Sequence, residues 1–225
     1  MKYYFDGISL KNGRQENMDS LLLKVRQIGK KNALLAVVCD GVGSLADGAF
    51  ASKTAVQMLS EWFNKTETID HIGIAMRDII TEINLNIIEK AKKKNLNTAS
   101  TLSALLLAES DYYTAHVGDS RIYSCENGTL SILTCDDVTS TGKLTAYIGQ
   151  AEKISLQYSA GNAAGKIFLI CSDGLYKQMD TDFMLANMKT WSKYLSKEPI
   201  ETLVQYVVER GEQDNISIAL TKINK

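Results

Sequence analysis

Between Ser103 and Leu133 the chain alternates short apolar segments with brief polar turns, and this rhythm restricts the fold more than any other feature. Ser103–Ala108 is followed, after Glu109-Ser110-Asp111, by Tyr112–Val117. Arg121–Ser124 and Leu130–Leu133 are parted by Glu126-Asn127-Gly128. Turns this short join antiparallel neighbours, because a parallel crossover needs roughly a dozen residues or more. Leu34–Cys39, Lys166–Cys171 and Ile216–Leu220 are further strand-like apolar runs.

Helical spacing occurs elsewhere. Ala51, Ala55, Met58, Leu59 and Trp62 mark one helix over residues 49–63. Ile72, Met76, Ile79, Ile80, Ile83, Ile87 and Ile88 form the stripe of a second, which ends in Lys92-Lys93-Lys94-Asn95, a cationic end suited to a helix C-terminus. Residues 182–195 and 199–210 give another helical pair. Strands in runs and helices in pairs predict an α+β arrangement rather than an alternating parallel one. No repeat, Pro-rich linker or composition break divides the 225 residues, which are expected to form a single domain over 1–225.

Charge and composition exclude several functions. The net charge of −1 gives no general electrostatic reason to bind nucleic acid or an anionic membrane. No stretch reaches the ~18 apolar residues of a membrane span, and the N-terminus lacks an apolar core of signal-peptide length. Cys39, Cys125, Cys135 and Cys171 form no C-x-x-C pair, so neither a structural zinc site nor a disulfide framework is implied, and a reducing cytoplasm is expected.

The glycines after Val37-Val38-Cys39-Asp40 suggest a phosphate loop, but the spacings fail. A dinucleotide fingerprint from Gly41 and Gly43 needs glycine where Ala46 stands. A P-loop ending at Gly142-Lys143 would begin at Asp137 and continue into Leu144. No G-x-S-x-G elbow occurs. His71 reads as a helix N-terminal residue and His116 as a structural strand residue, leaving little material for histidine-based zinc chemistry.

Aspartates instead recur at the strand ends. Asp40 follows Val37-Val38-Cys39, Asp119 follows Val117-Gly118, Asp173 follows Cys171-Ser172, Asp214 precedes the last strand, and Asp19 follows Arg14 and Asn17. Any one Asp-Gly is an ordinary turn signal. Several converging carboxylates would resist ionisation together unless a cation joined them. Oxygen donors without histidine or thiolate select hard ions, Mg²⁺ or Mn²⁺.

With these motifs in order, the sequence resembles the metal-dependent protein phosphatases of type 2C, the PPM family, in a bacterial-type form. Arg14-Gln15-Glu16-Asn17-Met18-Asp19, Asp40-Gly41-Val42-Gly43 with Gly48 and Ala51-Ser52, and Ser100-Thr101 resemble its opening segments. Val117-Gly118-Asp119-Ser120-Arg121, Leu133-Thr134-Cys135-Asp136, Ser172-Asp173-Gly174 and Asp214-Asn215-Ile216-Ser217 resemble the rest. The resemblance implies a four-layer α-β-β-α sandwich, two antiparallel sheets flanked by helix pairs, with metals at one end. It further implies a serine/threonine phosphatase using a metal-bridging water or hydroxide, with two Mn²⁺ or Mg²⁺ ions and scope for a third. Asp40 would bridge the ions, the Gly41 carbonyl would bind one, and Asp173 and Asp214 the other. Asp19 would support them directly or from behind, Asp119 would face the third ion, Asn215 would orient Asp214, and Arg14 would clamp the phosphate. The expected substrates are phosphorylated proteins made by a serine/threonine kinase in the same cytoplasm, the enzyme acting as a monomer.

Departures from the pattern are Met18 beside Asp19, Ser44 after Gly43, Ala49 after Gly48, Asp137 in place of a frequent histidine, and a short flap over Asp137–Lys143 expected to leave an open site. They keep two alternatives in view: a weak or inactive phosphatase-fold binding domain, and a phosphatase of non-protein phosphoesters.

Overall fold

The computed structural model describes residues 1–224; Lys225, the last residue of the expected domain, lies outside the described residues. Its strands form two antiparallel five-stranded sheets. The first takes the order β1 (Lys2–Leu10), β10 (Ile216–Asn224), β9 (Ile167–Cys171), β6 (Arg121–Glu126), β7 (Thr129–Ile132). The second runs β2 (Ser20–Ile28), β3 (Lys31–Cys39), β4 (Leu102–Ala108), β5 (Asp111–Val117), β8 (Gln157–Asn162). Helices α1 (Gly48–Lys65) and α2 (Ile72–Lys94) cover the second sheet, and α4 (Thr181–Tyr194) and α5 (Glu198–Val208) cover the first.

The near-continuous apolarity of β3 follows from this layering, because both of its faces are covered. Ala33, Leu35, Val37 and Cys39 face α1 and α2, packing with Leu59, Phe63, Met76 and Ile80. Leu34, Ala36 and Val38 point the other way, into an inter-sheet layer with Leu105, Ile122, Phe168 and Ile170. A period of two along the strand thus feeds two cores at once. On the far side Leu169, Cys171 and Ile218 meet Met188, Trp191, Leu203 and Val207.

The α2 stripe is buried at Ile72, Met76, Ile80, Ile83, Ile87 and Ile88, and the helix stops at Asn95, whose left-handed φ of 54° closes it after three lysines. The β6–β7 hairpin turns through Asn127 and Gly128, at φ 49° and 83°, the all-positive pair such a tight turn demands. Among the described residues no helix is long and apolar enough to cross a membrane. Strands β1, β2 and β8, and the single helical turn α3 (Asp173–Tyr176), were not marked by the sequence reading.

Candidate active site

One end of the sandwich carries a cavity of about 550 Å³, lined by Arg14, Asp40, Gly41, Asp119, Asp173 and Asp214, with Met18, Thr101 and Leu144 on its walls. Each sheet contributes. Asp40 leaves β3, Asp173 leaves β9, Asp214 approaches β10, and Asp119 lies in the crossing from β5 to β6.

The backbone of Asp40 is locked. Its N–H donates to Thr101 Oγ1 at 3.0 Å, and its carbonyl accepts from Thr101 N at 2.9 Å and Ser100 Oγ at 2.9 Å. Gly41 donates to the Met18 carbonyl at 3.2 Å, and a Cβ at Gly41 would fall 2.6 Å from the Gly48 backbone and 2.8 Å from Met18 O. Three backbone segments therefore meet here with no room for a side chain.

Asp19 lies behind the cavity wall and is 4% exposed. Its Oδ2 accepts from Ser172 Oγ at 2.8 Å, and Ser172 Oγ in turn accepts from Ser217 N at 2.9 Å. Asp19 Oδ1 is buried without a hydrogen-bond partner. Gly174 packs so closely on the Asp214-Asn215 turn that an added Cβ would sit 2.1 Å from Asn215 O. That approach ties the backbone next to Asp173 to the turn that carries Asp214.

The carboxylates weigh on one another. Burial, then the charges of Asp19, Asp173, Asp119 and Asp214, pushes the Asp40 carboxyl well above its ordinary range. Burial pushes Asp19 up to about 6. Burial and then Asp173 push Asp119 up to about 6 as well. Asp214 differs: burial would raise it, but hydrogen bonds from Arg14 and the Asn215 N–H outweigh burial and leave it low. Arg14 grips it with Nε on Oδ1 at 3.0 Å and Nη2 on Oδ2 at 2.8 Å.

Among the described residues no three His, Cys, Asp or Glu side chains converge as a closed ligand set. Two of the carboxylates face protein cations instead, Asp214 on Arg14 and Asp173 on Lys177. The donor chemistry nevertheless fits a hard divalent ion, with the orphaned Asp19 oxygen behind Asp40 and carboxylates whose ionisation is penalised.

Asn215 touches Asp214 through its backbone N–H, at 2.8 Å. Its side chain instead straps the preceding loop, donating to Lys11 O and Glu16 O at 2.9 Å and accepting from Met18 N at 2.9 Å. The flap segment is a small closed hairpin: Thr139 N donates to Lys143 O at 2.8 Å and Thr145 N to Asp137 O at 2.8 Å. It carries Leu144 to the cavity wall, so the short flap still borders the site. Asp137 accepts from Gly118 N at 2.9 Å and fixes the turn that presents Asp119. Cys39 and Cys171 are fully buried, and burial pushes both thiols up, in line with packing roles. Thr101, Ser172 and Lys177 were not among the expected site residues; the i,i+4 spacing from Asp173 was the one sequence signal for Lys177.

A sequence profile described as Protein phosphatase 2C matches residues 11–209. The serine/threonine phosphatase stp of Listeria welshimeri is 30% identical over 221 residues, covering 87% of this chain and 86% of the relative. The crystal structure of serine/threonine phosphatase Stp1 from Staphylococcus aureus superposes with a TM-score of 0.88 over 100% of this chain and 96% of the other, at 20% identity. That of PstP/Ppp from Mycobacterium tuberculosis gives 0.86 over 99% of each chain, also at 20% identity. At such identities the structural likeness speaks for the fold, and the sequence matches speak for descent. The four-layer sandwich, the aspartate-lined cavity and the matched profile agree: this chain belongs to the protein phosphatase 2C family of metal-dependent serine/threonine phosphatases.

Proposed function

We propose that the cavity holds two divalent ions, Mn²⁺ or Mg²⁺, with Asp40 shared between them, the Gly41 carbonyl on one, Asp173 and Asp214 on the other, and Asp19 supporting from behind. When bound, such a pair supplies a hydroxide nucleophile at neutral pH and neutralises charge on the phosphoryl oxygens. The observation that carries the reading is that Asp40, Asp119, Asp173 and Asp214 line one cavity at the end of the sandwich, with Asp19 buried behind it. Burying that much negative charge without cations is costly, and the cost is what gives the site its affinity for them.

Arg14 orients the phosphate. A guanidinium has five N–H donors, and the Asp214 pair uses two of them. The remaining end-on fork of Nη1 and Nη2 is free to pair two phosphoryl oxygens, while Asp214 fixes the plane in which the fork lies. Thr101 holds Asp40 in register by accepting its N–H. A hydroxide nucleophile makes a covalent phosphoenzyme unnecessary, so the buried thiols of Cys39 and Cys171 need no nucleophilic role.

The substrates are phosphoserine and phosphothreonine in proteins. We place the enzyme in the cytoplasm, as a single-domain monomer opposing a serine/threonine kinase. The test is Mn²⁺-dependent phosphate release from phosphoserine and phosphothreonine peptides and from a small aryl phosphate. Asp40→Asn and Asp173→Asn should each lose most of the activity. Unchanged rates in both variants would refute the site assignment, and activity on the aryl phosphate alone would point to non-protein esters.

A further inference from the structure

Asp173, on the cavity wall, is paired with a cation that this hydrolysis does not use. Lys177 follows the single turn α3 and folds its ammonium back onto Asp173 Oδ2, four residues earlier. Its charge also acts on Asp119 and Asp214. Asp119, in the crossing between the two sheets, lines the same cavity as Asp173 and is 8% exposed, and Asp173 is the carboxylate whose charge bears on it most. Two carboxylates of one cavity thus have a lysine as their shared counter-charge, in contact with Asp173 and acting on Asp119.

The turn that carries Lys177 is held firmly. Tyr176 lies under the Arg121 guanidinium, 3.7 Å from ring centroid to Cζ, and Arg121 is fixed to Asp136 at 2.7 Å. Lys177 N donates to the Asp173 carbonyl at 3.1 Å, which sets the side chain's origin directly beside that carboxylate. The ammonium is a tethered ligand, present at a fixed effective concentration whatever the supply of free ions.

We propose that the Lys177 ammonium fills the cation position between Asp119 and Asp173 and so limits this centre to two divalent ions. The inference rests on the two-ion reading above. A third dication placed there would have to displace a tethered positive charge and share Asp173 with an ion already present. With the ammonium in place the Asp119–Asp173 repulsion is answered by the chain itself, and the Mn²⁺ requirement of the enzyme ends with the tightly held pair. Lys177 is in this sense a positioning residue that sets the metal count.

Counting ions tests this directly. Wild type, Lys177→Ala, Lys177→Arg and the double variant Lys177→Ala/Asp119→Asn are dialysed to equilibrium against Mn²⁺, and manganese per chain is measured by elemental analysis. Two ions are expected on wild type and on Lys177→Arg. A third, more weakly held ion is expected on Lys177→Ala, and its loss again in the double variant. Thermal melting of each protein checks the fold, which a half-exposed lysine is not needed to maintain. Three ions on wild type, or two on Lys177→Ala under the same conditions, would overturn the role of Lys177. Absence of any bound Mn²⁺ on wild type would defeat the two-ion centre itself, and the inference with it.

Discussion

Arg14 holds Asp214 through two near-parallel hydrogen bonds, at 3.0 and 2.8 Å, across 200 residues of sequence. The guanidinium proposed to orient phosphate and a carboxylate proposed to hold metal are thereby one unit, so damage to one misplaces the other. Lysine at position 14 keeps the charge but not the planar fork. Arg14→Lys should lower kcat/KM on a phosphothreonine peptide by roughly ten- to hundredfold, the worth of one charge-assisted hydrogen bond of ~1.5–3 kcal/mol. Steady-state kinetics at saturating Mn²⁺ measure it, and an unaltered kcat/KM would remove Arg14 from phosphate binding.

Gly174 sits where an added Cβ would meet Asn215 O at 2.1 Å. The obstacle is backbone on both sides, so it cannot rotate away. Gly174→Ala should destabilise the protein by about 1–3 kcal/mol, as overpacking does, and weaken Mn²⁺ binding by parting Asp173 from Asp214. Guanidinium denaturation and a Mn²⁺ titration read the two effects separately.

His116 is buried in β5, its Nδ1 2.8 Å from Ser103 Oγ and its Nε2 3.0 Å from Gly118 O. Burial holds its pKa below the ordinary value. The unfolded chain therefore binds the extra proton first, and the stability that neutral His116 contributes is complete above pH ~6.5 and shrinks as the pH falls below it. The stability gap between wild type and His116→Asn should narrow between pH 6.5 and 5.5 by at most ~1 kcal/mol. A gap of constant size would show that His116 keeps an ordinary pKa.

Leu144 is the cavity-lining side chain of the short hairpin. On the proposed function it is expected to meet the residues flanking a phosphorylated serine or threonine rather than the phosphate. Leu144→Ala should cost about 1 kcal/mol of apolar contact, or roughly fivefold in kcat/KM on a peptide, with little effect on a small aryl phosphate. Equal losses on both substrates would place Leu144 in support of the metal centre instead.

The sequence announced some elements and hid others for physical reasons. β3 and β4 were legible because burial on both faces makes them continuously apolar, and α2 because one stripe faces one core. β2 was obscured by Lys24, Arg26 and Gln27 on a half-covered edge strand, and β8, Gln157–Asn162, is too polar and too rich in small residues to stand out. The carboxylates were visible because each lies at a strand end, a position that local pattern marks. Thr101, Ser172 and Lys177 were not, because their importance comes from neighbours far away in sequence or from a single helical turn too short to show a period.

The inter-sheet layer of Leu34, Val38, Leu105, Ile122, Phe168 and Ile170 has a consequence beyond stability. Asp19 and Asp40 ride on one sheet, Asp173 and Asp214 on the other. The span across which they reach toward each other is therefore the thickness of a hydrocarbon filling, about 10 Å between facing sheets. Side chains that never meet a cation would act as the calliper for the proposed centre, so that Ile170→Val, one methylene smaller, is expected to retune an inorganic site from inside the grease.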